Sequence, residues 1–165
     1  MKPEQHKSAV NYKPQTIKAM KLLESLAGGL AGACILTAVH ESLRRVNPDA
    51  PRMDVLGMRA IARLMEKAGA TPPDDETLHD WAMVGDVISN GLYYSLTGAD
   101  KNAWYRGALL GALAGIGAIT LPGPLGLGVV PSERTTQTKA MAVGLYLLGG
   151  IAAAMAARAL VKANK

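Results

Sequence analysis

The chain has 165 residues, enough for one domain, and carries a formal net charge of +5. Hydrophobic residues make up 49% of it but aromatic residues only 4%, and phenylalanine is absent, a mixture that favours closely packed helices over a β-sandwich. The basic residues are spread over several polar segments without interleaved aromatic residues, which argues against nucleic acid as a partner. Cys34 is the single cysteine, so an internal disulfide is excluded.

Four apolar segments lie between the charged parts of the chain and are candidates for crossing a lipid bilayer. A hydrocarbon core of roughly 30 Å requires about 20 mostly apolar helical residues. The predicted spans are residues 22–40, 81–97, 107–121 and 138–160. The second is the weakest, because Asp86, Ser89 and Asn90 lie in its middle. We expect the first span to be retained and not cleaved as a signal sequence.

The polar segments complete the predicted architecture. A basic segment, residues 1–21, precedes the first span, and an extramembrane loop, residues 41–80, follows it. Within this loop, residues 53–68 place apolar side chains on one helix face and charged ones on the other, which suits a helix lying on anionic lipid or one capping the bundle. The sequence predicts an all-α protein, a single membrane domain over residues 1–165 built as a four-span transmembrane helical bundle with an amphipathic helix in the long first loop.

Helix-start signals agree with this division. Prolines and acids in TPPDDETLHDW, residues 71–81, precede the second span, where acids suit the positive end of the helix dipole. Before the last span, PSERTTQTK offers Ser132 or Thr135 as the N-cap. A small excess of Lys and Arg favours a cytoplasmic location for both termini.

Small residues recur along the predicted spans at a spacing of four, which places them on one helix face. Lipid tails solvate apolar side chains as well as leucine does, so helices in a bilayer associate through close contact between small residues. The candidate packing residues are Gly28, Gly32, Gly107, Gly111, Gly115, Gly149 and Ala153. We expect them to pack the helices of one chain, and a homo-oligomer or docking to a larger membrane complex is the alternative.

Polar residues form a stripe along the second span, at Asp86, Asn90, Tyr93 and Thr97. An acid in the middle of a span is costly and usually faces the protein interior or a wet cavity. Asp86 is therefore either the titrating group of a path for protons, ions or small solutes, or a group whose hydrogen bonds lock the bundle. Tyr94, next to the stripe, is expected at the lipid headgroup level with the other aromatic residues near the following turn.

A second polar group lies at the two ends of the long loop, and consists of His40, Glu41, His79 and Asp80. Two histidines and two carboxylates suit a divalent metal if the span ends are adjacent, and solvated interfacial residues are the alternative. The sequence contains no phosphate-binding glycine loop, nucleophile elbow or cysteine pair. We therefore expect no enzyme and no cofactor.

The order of parts, ending in the stretch RGALLGALAG at residues 106–115 that opens the third span, resembles the small YagU-like inner-membrane proteins of bacteria. The resemblance implies a location in the bacterial inner membrane and a role under acid stress, and it assigns no functional residues. The residues themselves favour a non-catalytic packing or accessory component whose partner is the lipid bilayer. The alternative is a small proton-linked transporter or channel that uses the stripe around Asp86.

Overall fold

The computed structural model describes residues 13–128 and 135–164, and these contain five helices. In chain order the helices are α1 (Lys13–Val46), α2 (Met53–Lys67), α3 (Asp75–Ser95), α4 (Ala103–Thr120) and α5 (Thr136–Ala163). The described residues contain no β-strand, so the prediction of an all-α protein is confirmed. Residues 1–12 of the predicted basic segment, and Ser132, lie outside the described residues.

Three helix ends follow from local sequence. Asp74 caps α3, since its carboxylate accepts a hydrogen bond from the backbone N–H of Thr77 at 2.9 Å. Thr135 caps α5 in the same way, accepting from the N–H of Thr138 at 3.0 Å. α1 runs past the predicted end at residue 40 to Val46, because residues 41–46 contain no glycine or proline and the first helix-breaking residue is Pro48.

The helices form a bundle around a central pair. α1 and α5 pack along their length, α4 packs on the free side of α5, and α3 packs on the free side of α1. α3 and α4 make little contact with each other although a short turn connects them, so a groove separates them. α2 packs against α3 near the end of α1. We call this end of the bundle the α2 end, and the opposite end, which holds the α3–α4 turn, the turn end.

The α1–α5 contact brings two backbones together at glycine. A Cβ atom on Gly28 would lie 2.8 Å from the carbonyl oxygen of Ala153, and one on Gly32 would lie 2.6 Å from the Ala153 Cβ. On the α5 side, a Cβ on Gly149 would lie 3.1 Å from the Cβ of Leu36 in α1 and 2.9 Å from Cε2 of Tyr94 in α3. Real side chains do not tolerate these distances, so the helix separation depends on the absence of Cβ atoms.

The α4–α5 contact uses the same device on another face of α5. A Cβ on Gly111 would lie 2.7 Å from the Leu147 Cα, and one on Gly115 would lie 2.7 Å from the Val143 Cα. Gly107 faces the carbonyl oxygen of Gly150. α5 is therefore packed between α1 and α4, and on each side glycine residues bring the two helix backbones into direct contact.

By length and composition, two helices in the described residues qualify to cross a membrane, α1 over Ala19–Val46 and α5 over Thr136–Ala163. The sequence predicts four spans, and two of these helices, α3 and α4, do not meet this criterion of length and hydropathy. α3 contains Asp86 and Asn90 in its middle, and the first turn of α4 contains Arg106, and these residues lower the mean hydropathy of both helices.

Replacement of Gly111 by alanine tests the backbone contact between α4 and α5. The new Cβ would overlap the Leu147 Cα, so we expect Gly111→Ala to lower the free energy of unfolding by about 1–3 kcal/mol. The measurement is thermal or denaturant unfolding in mild detergent, followed by circular dichroism.

Gly144→Ala is the matched control, because Gly144 lies in α5 and an added Cβ would have no atom of another helix within 4 Å. We expect it to leave the stability unchanged or to raise it by up to about 1 kcal/mol through better helix propensity. Equal effects of the two substitutions would contradict the packing argument.

Candidate functional site

Asp86 links α3 to α1 in the interior of the bundle. Its Oδ2 atom accepts a hydrogen bond from Thr37 Oγ1 of α1 at 3.0 Å. Its Oδ1 atom accepts one from Asn90 Nδ2, one turn along α3, at 2.8 Å. Thr37 and Asn90 are both buried. Both carboxylate oxygens therefore have a protein donor, which offsets the cost of placing the group away from water.

A groove of about 620 Å³ lies between α3 and α4 and is closed at one end by α2 and the segment after α4. Asp86, Asn90 and Tyr93 contribute polar groups to its wall, and the rest of the wall is largely apolar. Its lining includes Met53, Leu56, Gly57 and Ala60 of α2, Leu113, Ala114, Gly117 and Ala118 of α4, and Tyr146 of α5. The combination of few polar groups and apolar walls is typical of a small-molecule site.

Tyr93 closes the groove towards the turn end. Its hydroxyl donates a hydrogen bond to the carbonyl oxygen of Leu110 in α4 at 3.0 Å. This bond crosses the gap between α3 and α4, where few other contacts exist. The groove is therefore bounded by Tyr93 at one end and by α2 at the other.

The polar stripe is shorter than the spacing predicts, because α3 ends at Ser95 and Thr97 lies in the following turn. The Thr97 hydroxyl donates to the carbonyl oxygen of Gly98 at 3.2 Å, and the Thr97 carbonyl accepts from Arg106 Nε at 2.7 Å. Thr97 is fully buried and is not part of the groove lining. The stripe in the structure consists of Asp86, Asn90 and Tyr93.

Two residues of the site were not predicted. Thr37 supplies the α1 donor to Asp86, and its only sequence signal is a hydroxyl group within a largely apolar span. Tyr94 is fully buried instead of lying at the headgroup level, and its hydroxyl donates to the carbonyl oxygen of Tyr146 in α5 at 2.7 Å. Tyr94 rests on Gly149, whose missing side chain leaves the space for the ring.

A second, much smaller cavity connects Asp86 to His40. Both side chains line an internal space of about 10 Å³ between α1, α3 and α5. The rest of its lining consists of Leu36, Met53, Ala142, Leu145 and Tyr146. This volume holds about one water molecule. His40 is buried, and its Nε2 donates to the carbonyl oxygen of Pro51 at 2.6 Å. Asp86 thus borders both the groove and a polar position near the α2 end.

The predicted metal set is not assembled. Among the described residues, no group of three or more His, Cys, Asp or Glu side chains lies close enough to hold a metal ion. The guanidinium of Arg44 lies between two of the predicted ligands, donating to Glu41 Oε1 at 2.6 Å and to His79 Nε2 at 3.4 Å. His40 turns instead to Pro51, and Asp80 is exposed. A protein cation therefore takes the place that a metal would need.

Asp54 anchors the start of α2 beside the same group. Its carboxylate is buried and accepts hydrogen bonds from both Nε and Nη2 of Arg52, at 2.9 Å and 2.7 Å. Burial alone raises the pKa of the Asp54 carboxyl, but the hydrogen bonds and charge of Arg52, with smaller effects of the Val55 N–H and the Arg44 charge, outweigh it. The pKa of Asp54 therefore lies below its ordinary value.

α2 is also tied to the segment that follows α4. Arg59 Nη1 donates to the carbonyl oxygen of Leu127 at 3.3 Å, and Arg63 Nη1 donates to that of Gly126. Gly126 has a φ of +71°, in the left-handed region that glycine adopts without strain. Of the two interpretations of the loop helix, these contacts favour a cap over the α2 end of the bundle.

No protein-family model, no curated protein and no solved structure matches the chain.

The lowered pKa of Asp54 makes the docking of α2 sensitive to acid. A carboxyl with a lowered pKa in the folded state stabilises the fold above its unfolded pKa of about 3.9, and this contribution is lost as the pH falls through the lower folded value. We expect Asp54→Asn to lower the free energy of unfolding at pH 7 by about 1–3 kcal/mol, since it removes the buried charge that accepts the hydrogen bonds of Arg52. The difference from the wild type should shrink as the pH drops below about 4.

Unfolding in detergent at a series of pH values measures this difference. Glu66→Gln is the control on the same helix, because Glu66 is exposed and forms no ion pair within the described residues. A difference between Asp54→Asn and the wild type that stays constant with pH would contradict the assignment.

Proposed function

We propose that the protein is a four-span membrane protein of the bacterial inner membrane that acts as a non-catalytic packing or accessory component. The observation that carries this proposal is the distribution of polarity in the bundle. Apolar side chains cover the outer surface of the helices, whereas the polar side chains Thr37, His40, Asn90 and Thr138 are buried. A protein that folds in water is expected to show the opposite arrangement.

α3 is the clearest case. Trp81, Val84, Ile88, Leu92 and Leu96 recur at intervals of three and four residues and are all exposed, between 48% and 64%. The hydrogen-bonded groups of Asp86 and Asn90 face α1 and the groove. Asp86 and Asn90 lower the mean hydropathy of α3. Because both residues face the inside of the bundle, they do not prevent the outer face of α3 from lying in lipid.

α4 repeats the arrangement with glycine in place of polar residues. Gly107, Gly111 and Gly115 are buried against α5, and Leu109 and Leu113 are among the large exposed apolar residues. At about 1.5 Å per residue, the 18 residues of α4 and the 21 of α3 extend about 27 Å and 31 Å, close to the roughly 30 Å of a bilayer core. Both lengths support the assignment of these helices as spans.

The central helices present the same surface. In α1 the exposed apolar residues include Leu23, Leu26, Leu30 and Ile35, and in α5 they include Leu148 and Met155. Together with α3 and α4 they form an apolar belt around the bundle, far more continuous than the scattered apolar residues of a soluble monomer. Lipid is the medium that this belt fits.

A packing role follows from how the polar groups are used. Both oxygens of Asp86 accept hydrogen bonds, one of them from α1, so the carboxylate joins two helices. The hydroxyls of Tyr93 and Tyr94 join α3 to α4 and to α5. Interhelical hydrogen bonds of this kind add to close packing in stabilising membrane bundles.

A second candidate function is proton-linked movement of a small solute. It is favoured by one observation, that Asp86 borders both the groove between α3 and α4 and the small cavity that contains His40. Asp86 and His40 therefore place two titratable side chains between the lateral groove and the α2 end. Asp86 would be the group that gains and loses the proton.

Cysteine labelling tests the four-span topology. In a Cys34→Ala background, Lys101→Cys places a thiol at the turn end and Ala70→Cys places one at the α2 end. Four spans require a membrane-impermeant maleimide to reach the two thiols from opposite sides of sealed vesicles. Cys34 in the otherwise wild-type chain, exposed on α1, is the control, and in lipid it should react only after denaturation. Labelling of both engineered thiols from one side would contradict the topology.

Reconstitution separates the two functions. Under the packing proposal, liposomes that contain the wild-type protein show no pH-driven flux above that of empty liposomes, and Asp86→Asn lowers stability. Under the alternative, wild-type liposomes show flux that Asp86→Asn abolishes. Asp80→Asn is the matched control, because Asp80 is an exposed acid at the start of the same helix. Flux lost only in Asp86→Asn would overturn the packing role.

A further inference from the structure

A large cavity at the turn end includes five basic side chains among its thirteen lining residues. It has a volume of about 990 Å³ and lies where the start of α1, the α3–α4 turn and the end of α5 meet. Its charged residues are the five cations Lys21, Lys101, Arg106, Arg158 and Lys162 and the single acid Asp100. No sequence motif points to this group, because the cations come from three separate parts of the chain.

One of the cations is already neutralised by the protein. Arg106 forms an ion pair with Asp100 Oδ1 at 2.7 Å and donates to the carbonyl oxygen of Thr97. In the parts of the chain that the structure describes, the other four cations form no ion pair. Several like charges around one cavity repel one another, and an anion placed between them relieves this repulsion.

The surroundings of the cavity fit its position at a membrane surface. Trp104 contributes to its lining and is partly exposed, as is typical of tryptophan at the level of lipid headgroups. Leu96 and Val161 add apolar surface beside the cations. A ligand with an anionic group and an adjoining apolar chain would match both parts of the lining.

We infer that this cavity binds the phosphate group of an anionic phospholipid. The inference rests on the proposed membrane location, since the turn end must then lie at a bilayer surface. Lys and Arg side chains are the usual ligands of phosphate, and basic pockets between membrane helices bind anionic headgroups. The start of α1 and the end of α5 both lie on this side, for which the distribution of basic residues favours the cytoplasm, where anionic lipids attract basic surfaces. Inorganic phosphate offers the same anionic group without the apolar chain.

Native mass spectrometry of the full chain in mild detergent tests the inference, with phosphatidylglycerol and phosphatidylcholine as probes. We expect the wild type to retain phosphatidylglycerol preferentially, and Arg158→Gln/Lys162→Gln to lower that affinity about tenfold or more. Arg45→Gln/Lys67→Gln removes the same charge at the α2 end and should keep the wild-type preference. If the first double variant does not fold, Lys101→Gln in the exposed turn takes its place.

Three results would overturn the inference. The first is equal retention of the two lipids by the wild type, and the second is equal loss of affinity in the two double variants. The third is displacement of phosphatidylglycerol by inorganic phosphate that binds equally well without lipid, which would assign the cavity to a soluble anion. Insertion into pure phosphatidylcholine vesicles, measured by flotation after an alkaline wash, is scored separately. A chain that inserts but shows no lipid preference contradicts this inference alone, whereas a chain that does not insert contradicts the proposed function.

Discussion

Direct contact between helix backbones is the constraint on which the bundle depends. α5 meets α1 and α4 at positions where no Cβ atom fits, with Gly28 and Gly32 on one side and Gly111 and Gly115 on the other. Such contacts gain dispersion energy over long stretches of backbone and need no release of water. They also fix the position of α5, and with it the carbonyl oxygen of Tyr146 that holds Tyr94.

The polar interior agrees with the proposed membrane location. In lipid, unsatisfied polar groups are more costly than in water, so each one is expected to find a partner within the protein. Asp86 meets Thr37 and Asn90, and His40 meets Pro51. No buried side-chain nitrogen or oxygen in the described residues lacks a hydrogen-bond partner. Because α3 and α4 make few contacts, a groove remains open between them. Asp86 therefore borders this groove as well as its hydrogen-bond partners.

Local features of the fold could be predicted from sequence, and non-local ones could not. The cap at Thr135 was predictable because a cap depends on residues three positions apart. Thr97 does not belong to the polar stripe, because α3 ends at Ser95 and the chain then turns at Gly98, which has a φ of +66°. Helical spacing alone does not show where a helix ends. The predicted metal ligands do not come together, because the Arg44 side chain lies between Glu41 and His79. The spacing of residues in a sequence does not show which other side chain lies between them. The basic cavity and the partner of Asp86 depend equally on contacts between distant segments.

The proposed four-span arrangement requires lipid around the outer face of α3, the helix whose hydropathy least indicates a span. A nitroxide label at Ile88→Cys in a Cys34→Ala background, in reconstituted bilayers, measures this medium directly. We expect the label to collide frequently with dissolved oxygen, which concentrates in the bilayer core, and rarely with a water-soluble nickel complex. Frequent collisions with the nickel complex and few with oxygen would show that water covers this face, and the membrane account would be wrong.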